Sequence, residues 1–188
     1  ASRPADSASP SVCSTLASNS TRRCLNTSVD LHASETGYYR FDGVEGVSPD
    51  IVATVGETLV FEQHAATNWY HPLGFAFYPD GAHGATWGGD EREEVEGLDE
   101  LRYFVDGAPA CGFGDIGLDC YEPQFFFPLE EWSAHTYRVE LTITPDLARR
   151  SIGGVLYGFC HIHSKMSFKI VIQNPDGSRV AGIGAEQQ

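Results

Sequence analysis

The sequence predicts an all-β fold, built as an antiparallel sandwich or barrel. Apolar side chains alternate with polar ones through residues 137–143, which is the period of a strand that buries one face. Four further short runs have the same strand-like character, at residues 51–55, 58–61, 155–159 and 168–172. Short strands separated by turn residues in this way are typical of an antiparallel sandwich or barrel.

Residues 1–35 differ in composition from the rest of the chain, because they are rich in Ser, Ala, Thr and Asn and show little hydrophobic periodicity. We interpret them as an extended N-terminal arm that is tied by a local disulfide between Cys13 and Cys24. The strand-like runs begin at Tyr38, so the main domain is expected to span residues 36–188.

A long insertion at about residues 81–132 separates the two groups of strands. A loop of this length without secondary structure is uncommon in a compact domain, so we expect the insertion to hold elements of its own. The acidic run at residues 90–96 predicts one short helix that ends near Phe104. The aromatic residues 125–127 are expected to cover the core of the β domain.

The chain of 188 residues has a formal net charge of −14. This charge argues against binding to nucleic acid, since a phosphate backbone requires a basic surface. The acidity either keeps the protein in solution or steers a basic partner towards it. No apolar run in the sequence reaches the roughly 20 residues that a membrane-spanning helix needs, so no transmembrane segment is expected.

The five cysteines divide into two close pairs and one remaining residue. Cys13 lies near Cys24 and Cys111 lies near Cys120, so two local disulfides are expected, which leaves Cys160 as a reactive thiol, an intermolecular link or a ligand. Acceptor triplets for N-glycosylation begin at Asn19 and Asn26. Together, these features favour a secreted, extracellular or lumenal protein.

The segment from Cys160 to Met166 places a thiolate, the imidazole of His163 and a thioether in one short loop between two predicted strands. Soft sulfur ligands combined with imidazole favour copper over magnesium or calcium. A further ligand has to come from another strand end, and His71 is the best choice. Pro72 biases His71 towards extended backbone geometry, which helps to hold the imidazole.

Three segments carry a resemblance to a known family. Residues 50–61 resemble the paired early strands of the cupredoxins, the blue-copper proteins, with their glycine-acid turn. Residues 71–73 resemble the upstream histidine segment of that family, and residues 157–166 resemble its C-terminal ligand loop. The resemblance covers about residues 38–175 and implies a Greek-key β-sandwich.

The resemblance also implies a copper site in which His71, Cys160 and His163 are the strong ligands and Met166 is the axial one. The interval between His163 and Met166 is shorter than is usual in the family, and the loop has no second cysteine of the kind used by binuclear copper domains. His161 beside Cys160 resembles multicopper oxidases, but the other His-x-His pairs needed for their trinuclear cluster are missing. A mononuclear site is therefore expected.

The other histidines carry weaker signals. His64 is a possible rival ligand that we interpret as a surface residue at a strand end. His83 and His135 are interpreted as surface or loop residues, and His32 lies in the arm.

We expect a secreted copper protein that carries one electron, since four protein ligands leave no open position for a substrate. An electron carrier is favoured over a catalyst, and the expected partner is a basic redox protein. Alternatives are a copper-storage or copper-delivery protein, and an extracellular structural or interaction protein that keeps the scaffold without metal. A single-domain copper enzyme is a further alternative, provided that Met166 does not coordinate.

Overall fold

The computed structural model describes residues 12–15, 21–83 and 94–184. Over these residues the chain is mainly β, with ten strands and three short α-helices. The strands are β1 (Arg22–Asp30), β2 (Tyr38–Phe41), β3 (Ile51–Thr54), β4 (Thr58–Glu62), β5 (Leu73–Ala76), β6 (Leu101–Val105), β7 (Ala108–Pro109), β8 (Tyr137–Thr142), β9 (Val155–Cys160) and β10 (Phe168–Gln173). The α-helices are α1 (Leu118–Tyr121), α2 (Leu129–Trp132) and α3 (Pro145–Arg150), and 3₁₀ turns form at Val12–Thr15, Ala66–Asn68, Gly81–His83 and Glu122–Phe126.

The strands form two sheets. One has six strands in the order β2-β1-β4-β8-β6-β7, and the other has four in the order β3-β10-β9-β5. Buried apolar side chains from both sheets belong to one core cluster, in which Phe61, Leu141, Leu156 and Phe168 are almost inaccessible to solvent. The prediction of a mainly-β fold is confirmed, and the Greek-key connection of a sandwich stays a prediction.

Both sheets are mixed, so the expectation of purely antiparallel pairing is wrong at two places. β1 pairs with β4 in parallel, and β10 pairs with β3 in parallel. The alternation of apolar and polar residues is the same in parallel and antiparallel strands, so it does not reveal the direction of the partner.

β1 lies within the segment interpreted as an extended arm. It is hydrogen-bonded to β2 on one edge and to β4 on the other, and Leu25, Thr27 and Val29 alternate as its buried residues. The arginines and small polar residues of this stretch hide the alternation in the sequence. The division of the chain at residues 35 and 36 stays a prediction.

The insertion holds secondary structure, but the helix was predicted in the wrong place. Residues 101–105 form β6, which pairs with β8, and Glu94 makes an isolated bridge to Ala76. Residues 90–93 lie outside the described part of the chain. The acidic run suggested a helix, whereas buried Leu101 and Tyr103 find a strand partner that lies far away in the sequence. In the described part of the insertion, helical residues form the 3₁₀ turn Gly81–His83 and, after β6, α1, α2 and the 3₁₀ turn between them.

Both predicted disulfides are confirmed. Cys13 is bonded to Cys24 and Cys111 to Cys120, with Cα atoms 5.4 and 5.2 Å apart. Cys160 is a free, buried cysteine. Of the helices in the described ranges, none combines the length and the apolar character needed to cross a membrane.

The second sheet places two predicted ligands side by side. β5 and β9 are antiparallel neighbours, and Leu73 of β5 is paired with Cys160, the last residue of β9. His71 lies just before β5, while residues 161–167 connect β9 to β10 and contain His163 and Met166. We call this connection the ligand loop.

Candidate metal centre

Three of the four predicted ligands converge at this end of the second sheet. One nitrogen of His71, one nitrogen of His163 and the sulfur of Cys160 all lie within 4.8 Å of one another. The Cys160 Sγ is 3.8 Å from Nδ1 of His71 and 3.7 Å from Nδ1 of His163. The two imidazole rings are 4.6 Å apart between centroids. The same nitrogen of each ring therefore faces the sulfur.

These separations suit one bound metal ion. An ion that holds sulfur at about 2.3 Å and imidazole nitrogen at about 2.0–2.1 Å keeps the two atoms at the observed distances when the ligand–metal–ligand angle is about 120°. The 3.7 and 3.8 Å separations thus match ligands spread trigonally around an ion. A cysteine with two histidines in a trigonal arrangement is typical of electron-transfer copper.

Met166 lies near the other three residues. Its side chain is fully buried in the same core cluster as Cys160. A thioether in this position suits the weak axial ligand of a copper site, because that bond is long and soft. Coordination by Met166 stays a prediction.

The protonation of the centre is governed mainly by burial. Burial lowers the pKa of His71 to about 4, with the neighbouring His163 contributing, and burial also lowers the pKa of His163. Burial raises the pKa of the Cys160 thiol to about 11. At neutral pH both imidazoles are therefore neutral and ready to coordinate, whereas the thiolate needs a cation to offset its desolvation.

The backbone of His71 is held by a buried polar network. Its N–H donates to the carbonyl of Asn68 at 2.8 Å. Its carbonyl accepts from the hydroxyl of Tyr39 at 3.1 Å and from Nε2 of Gln63 at 2.7 Å. The preceding residue, Tyr70, has a positive φ of 64°, which turns the chain sharply before the ligand. The imidazole thus points into the cluster from a backbone fixed on both sides.

Gln63 is the centre of this network. Its Nε2 also donates to Oδ1 of Asn68, and its Oε1 accepts from the N–H of Leu73 at 3.1 Å and from the hydroxyl of Tyr121 at 2.9 Å. The Gln63 side chain is fully buried. One amide therefore links the strand β4, the His71 segment, the start of β5 and helix α1.

The ligand loop is fixed by separate contacts. The N–H of His163 donates to the Cys160 sulfur at 3.3 Å. The N–H of Lys165 donates to both carboxylate oxygens of Asp80, at 2.7 and 2.8 Å, and Thr36 Oγ1 donates to the Ser164 carbonyl at 3.1 Å. The loop is thus tied both to the segment before β2 and to residues at the start of the insertion.

His83 was interpreted as a surface or loop residue, and the structure places it against the site. Its Nε2 is 3.0 Å from the Cys160 carbonyl oxygen. His64 and His135 face carboxylates outside the cluster, with His64 Nδ1 3.9 Å from Glu62 and His135 Nδ1 2.6 Å from Asp106. No spacing in the sequence links His83 to Cys160.

The surface beside the centre is aromatic. Of residues 125–127, Phe125 is buried as expected, but Phe126 and Phe127 are 53% and 38% exposed. The ring of Tyr70 contacts Phe126 with centroids 5.9 Å apart, and Trp69 Nε1 donates to the Phe127 carbonyl at 2.9 Å. The insertion therefore adds exposed apolar surface to the segment that carries His71.

No protein-family model and no curated protein matches this sequence. The case for a copper centre therefore depends on the donor atoms and their geometry.

Proposed function

We propose that this chain is an extracellular copper protein that carries one electron at a mononuclear site. His71, Cys160 and His163 would hold the ion, with Met166 as the axial ligand. The observation that carries the proposal is the convergence of one sulfur and two imidazole nitrogens, with the sulfur 3.7 and 3.8 Å from the nitrogens. Copper bound there would supply the Cu(II)/Cu(I) couple.

The surroundings of the ligands support electron transfer over catalysis. Of the four residues, His71, Cys160 and Met166 are buried and only His163 is partly exposed. Buried hydrogen bonds hold the backbone of His71, and exposed hydrogen bonds between Lys165 and Asp80 hold the ligand loop. Ligands held in this way move little between two oxidation states, and a full set of four leaves no position for a substrate.

The partly exposed edge of His163 would be the point of electron exchange, because it is the ligand nearest to solvent. The two disulfides support an oxidising, extracellular setting. The net charge of −14 supports a partner that presents positive charge.

The test is the colour of the copper-loaded protein. Purified protein loaded with Cu(II) should show an intense visible absorption from thiolate-to-copper charge transfer, together with reversible one-electron reduction in voltammetry. Cys160→Ser should abolish the absorption while circular dichroism shows a retained fold. His64→Ala is the matched control, since His64 lies outside the cluster, and it should keep the colour.

The alternatives give other outcomes. A colourless protein that binds copper would favour storage or an open site, and a protein that takes up no copper would favour a structural or interaction role. Either result overturns electron transfer by this centre.

A further inference from the structure

His161 follows Cys160 directly but takes no part in the cluster of His71, Cys160 and His163. Its ring packs over Phe159, with centroids 4.7 Å apart and planes at 31°. The side chain is only 10% exposed, and its buried Nε2 makes no hydrogen bond, although a carboxylate oxygen of Glu94 lies 3.3 Å away. Buried polar atoms are almost always satisfied, so an ion bound between this nitrogen and this oxygen would account for the missing hydrogen bond.

The backbone leaves room for this ring. At Gly74 of β5 an added Cβ would lie 2.3 Å from Cδ2 and 2.4 Å from Nε2 of His161. The imidazole is therefore fixed between the Gly74 backbone and the Phe159 ring, and its two nitrogens have defined directions.

Two carboxylates flank the fixed ring. Oε2 of Glu94 is 3.3 Å from Nε2 of His161, and Oε2 of Glu122 is 3.7 Å from Nδ1. Both glutamates belong to the insertion, and their side chains are 18% and 30% exposed. A small cation can therefore reach them from solvent.

The distance between Nε2 and the Glu94 oxygen suits a shared metal ion. A charge-assisted hydrogen bond between nitrogen and a carboxylate is about 2.7–2.9 Å long. Two ligand atoms that each lie about 2.0–2.2 Å from one tetrahedral ion are separated by about 3.3–3.5 Å. The observed 3.3 Å falls in the second range and lacks the geometry of a hydrogen bond.

The geometry points to a second cation site, in which His161 Nε2 and Glu94 bind a divalent ion such as Zn²⁺. Glu122 would orient the ring from the Nδ1 side, as carboxylates do behind metal-bound histidines. The donor set is nitrogen and oxygen without sulfur, which suits zinc and other borderline divalent ions, with water in the remaining positions. This site uses none of the ligands of the first centre.

Zinc binding by Cys160→Ser protein tests the inference, because that background removes the thiolate of the first centre. Equilibrium dialysis followed by metal analysis should find one bound Zn²⁺ per chain. Adding His161→Gln or Glu94→Gln should remove it, whereas adding Glu130→Gln, an exposed glutamate of α2, should leave it in place. Failure of Cys160→Ser to bind Zn²⁺, or retention of the ion after His161→Gln, would overturn the second site and establish an ion pair between the imidazole and the two carboxylates.

A second measurement covers the case in which Cys160→Ser does not fold. In protein with Cys160 intact, bound Co²⁺ reports the first centre through its thiolate charge-transfer band. His161→Gln should lose one equivalent of Co²⁺ and keep that band. If His161→Gln lost both the charge-transfer band and one equivalent of bound Co²⁺, the effect would belong to the first centre, and this result would contradict the inference. An unchanged stoichiometry would contradict it equally.

Discussion

At the scale of single residues, the centre depends on a few side chains whose surroundings differ from water. His71 is 5% exposed, and Cys160 is fully buried. Gln63 makes four hydrogen bonds from one buried amide. Such networks are stable only when every member is satisfied, so a single truncation affects all of the elements that meet there.

Replacing Gln63 tests this network. Gln63→Leu leaves the Leu73 N–H and the Tyr121 hydroxyl without their partner and leaves the His71 carbonyl with Tyr39 alone, so unfolding free energy should fall by about 3 kcal/mol. Copper affinity should weaken by about tenfold, since residues that orient ligands typically contribute this much. Urea unfolding and chelator competition measure the two effects. Gln173→Leu, which removes one half-buried hydrogen bond on β10, is the matched control.

The protonation states of the ligands predict proton release. The Cys160 thiol has a pKa of about 11 and is protonated at neutral pH, whereas His71, with a pKa of about 4, is already neutral. Copper binding should therefore release one proton, and affinity should rise about tenfold for each pH unit between roughly pH 7 and 10. Chelator competition across this range measures the slope, and a copper affinity independent of pH would contradict the prediction.

At the scale of secondary structure, local patterns predicted some elements well and others badly. β8 is a strand of six residues whose buried positions alternate strictly, and its alternation is plain in the sequence. β1 and β6 were missed, because polar or charged neighbours mask their apolar residues and their pairing partners lie far away in the chain. The pairing of a strand is a tertiary contact, and a short window of sequence does not contain it.

Helix α1 connects the insertion to the candidate metal centre, and this predicts a role for its disulfide. α1 carries Cys120 and Tyr121, and the Tyr121 hydroxyl donates to Gln63. Cys111→Ser/Cys120→Ser should cost about 2–4 kcal/mol of stability. It should also weaken copper affinity, because the constraint on Tyr121 is lost.

The other disulfide is the control. Cys13→Ser/Cys24→Ser should lower stability in a similar way but leave copper affinity unchanged, since this disulfide ties the 3₁₀ turn Val12–Thr15 to β1. Equal losses of affinity in the two double variants would show that general destabilisation, not α1, affects the centre.

At the scale of the whole molecule, the dominant property is charge. The chain has 26 acidic and 12 lysine or arginine residues. A field of this sign attracts cations to any exposed redox site and repels anions, and added salt screens both effects.

Small redox probes of opposite charge test this field, given the proposed electron transfer. Reduction of the copper-loaded protein by hexaammineruthenium(II), a cation, should slow as salt is added. Reduction by hexacyanoferrate(II), an anion, should accelerate under the same conditions. Stopped-flow absorbance at the visible band gives both rates. Equal salt dependence for the two probes would show that the net charge does not act at the centre.

The sequence by itself predicted the donor types, the disulfide pairs and the mainly-β character. Each of these depends on residue chemistry, on closeness in the chain or on a local period of two. The loop from Cys160 to Met166 was predicted to carry ligands for the same reason. His71 was chosen as a candidate because a strand end beside a proline is a local signal.

Only the tertiary structure decided which distant residues surround those donors. Several of these contacts join residues far apart in the chain. They include the parallel pairings of β1 with β4 and of β3 with β10, the contact of His83 with the Cys160 carbonyl, the Gln63 network and the two carboxylates beside His161. Such contacts follow from how the sheets pack around a common core, and they leave no fixed spacing in the sequence.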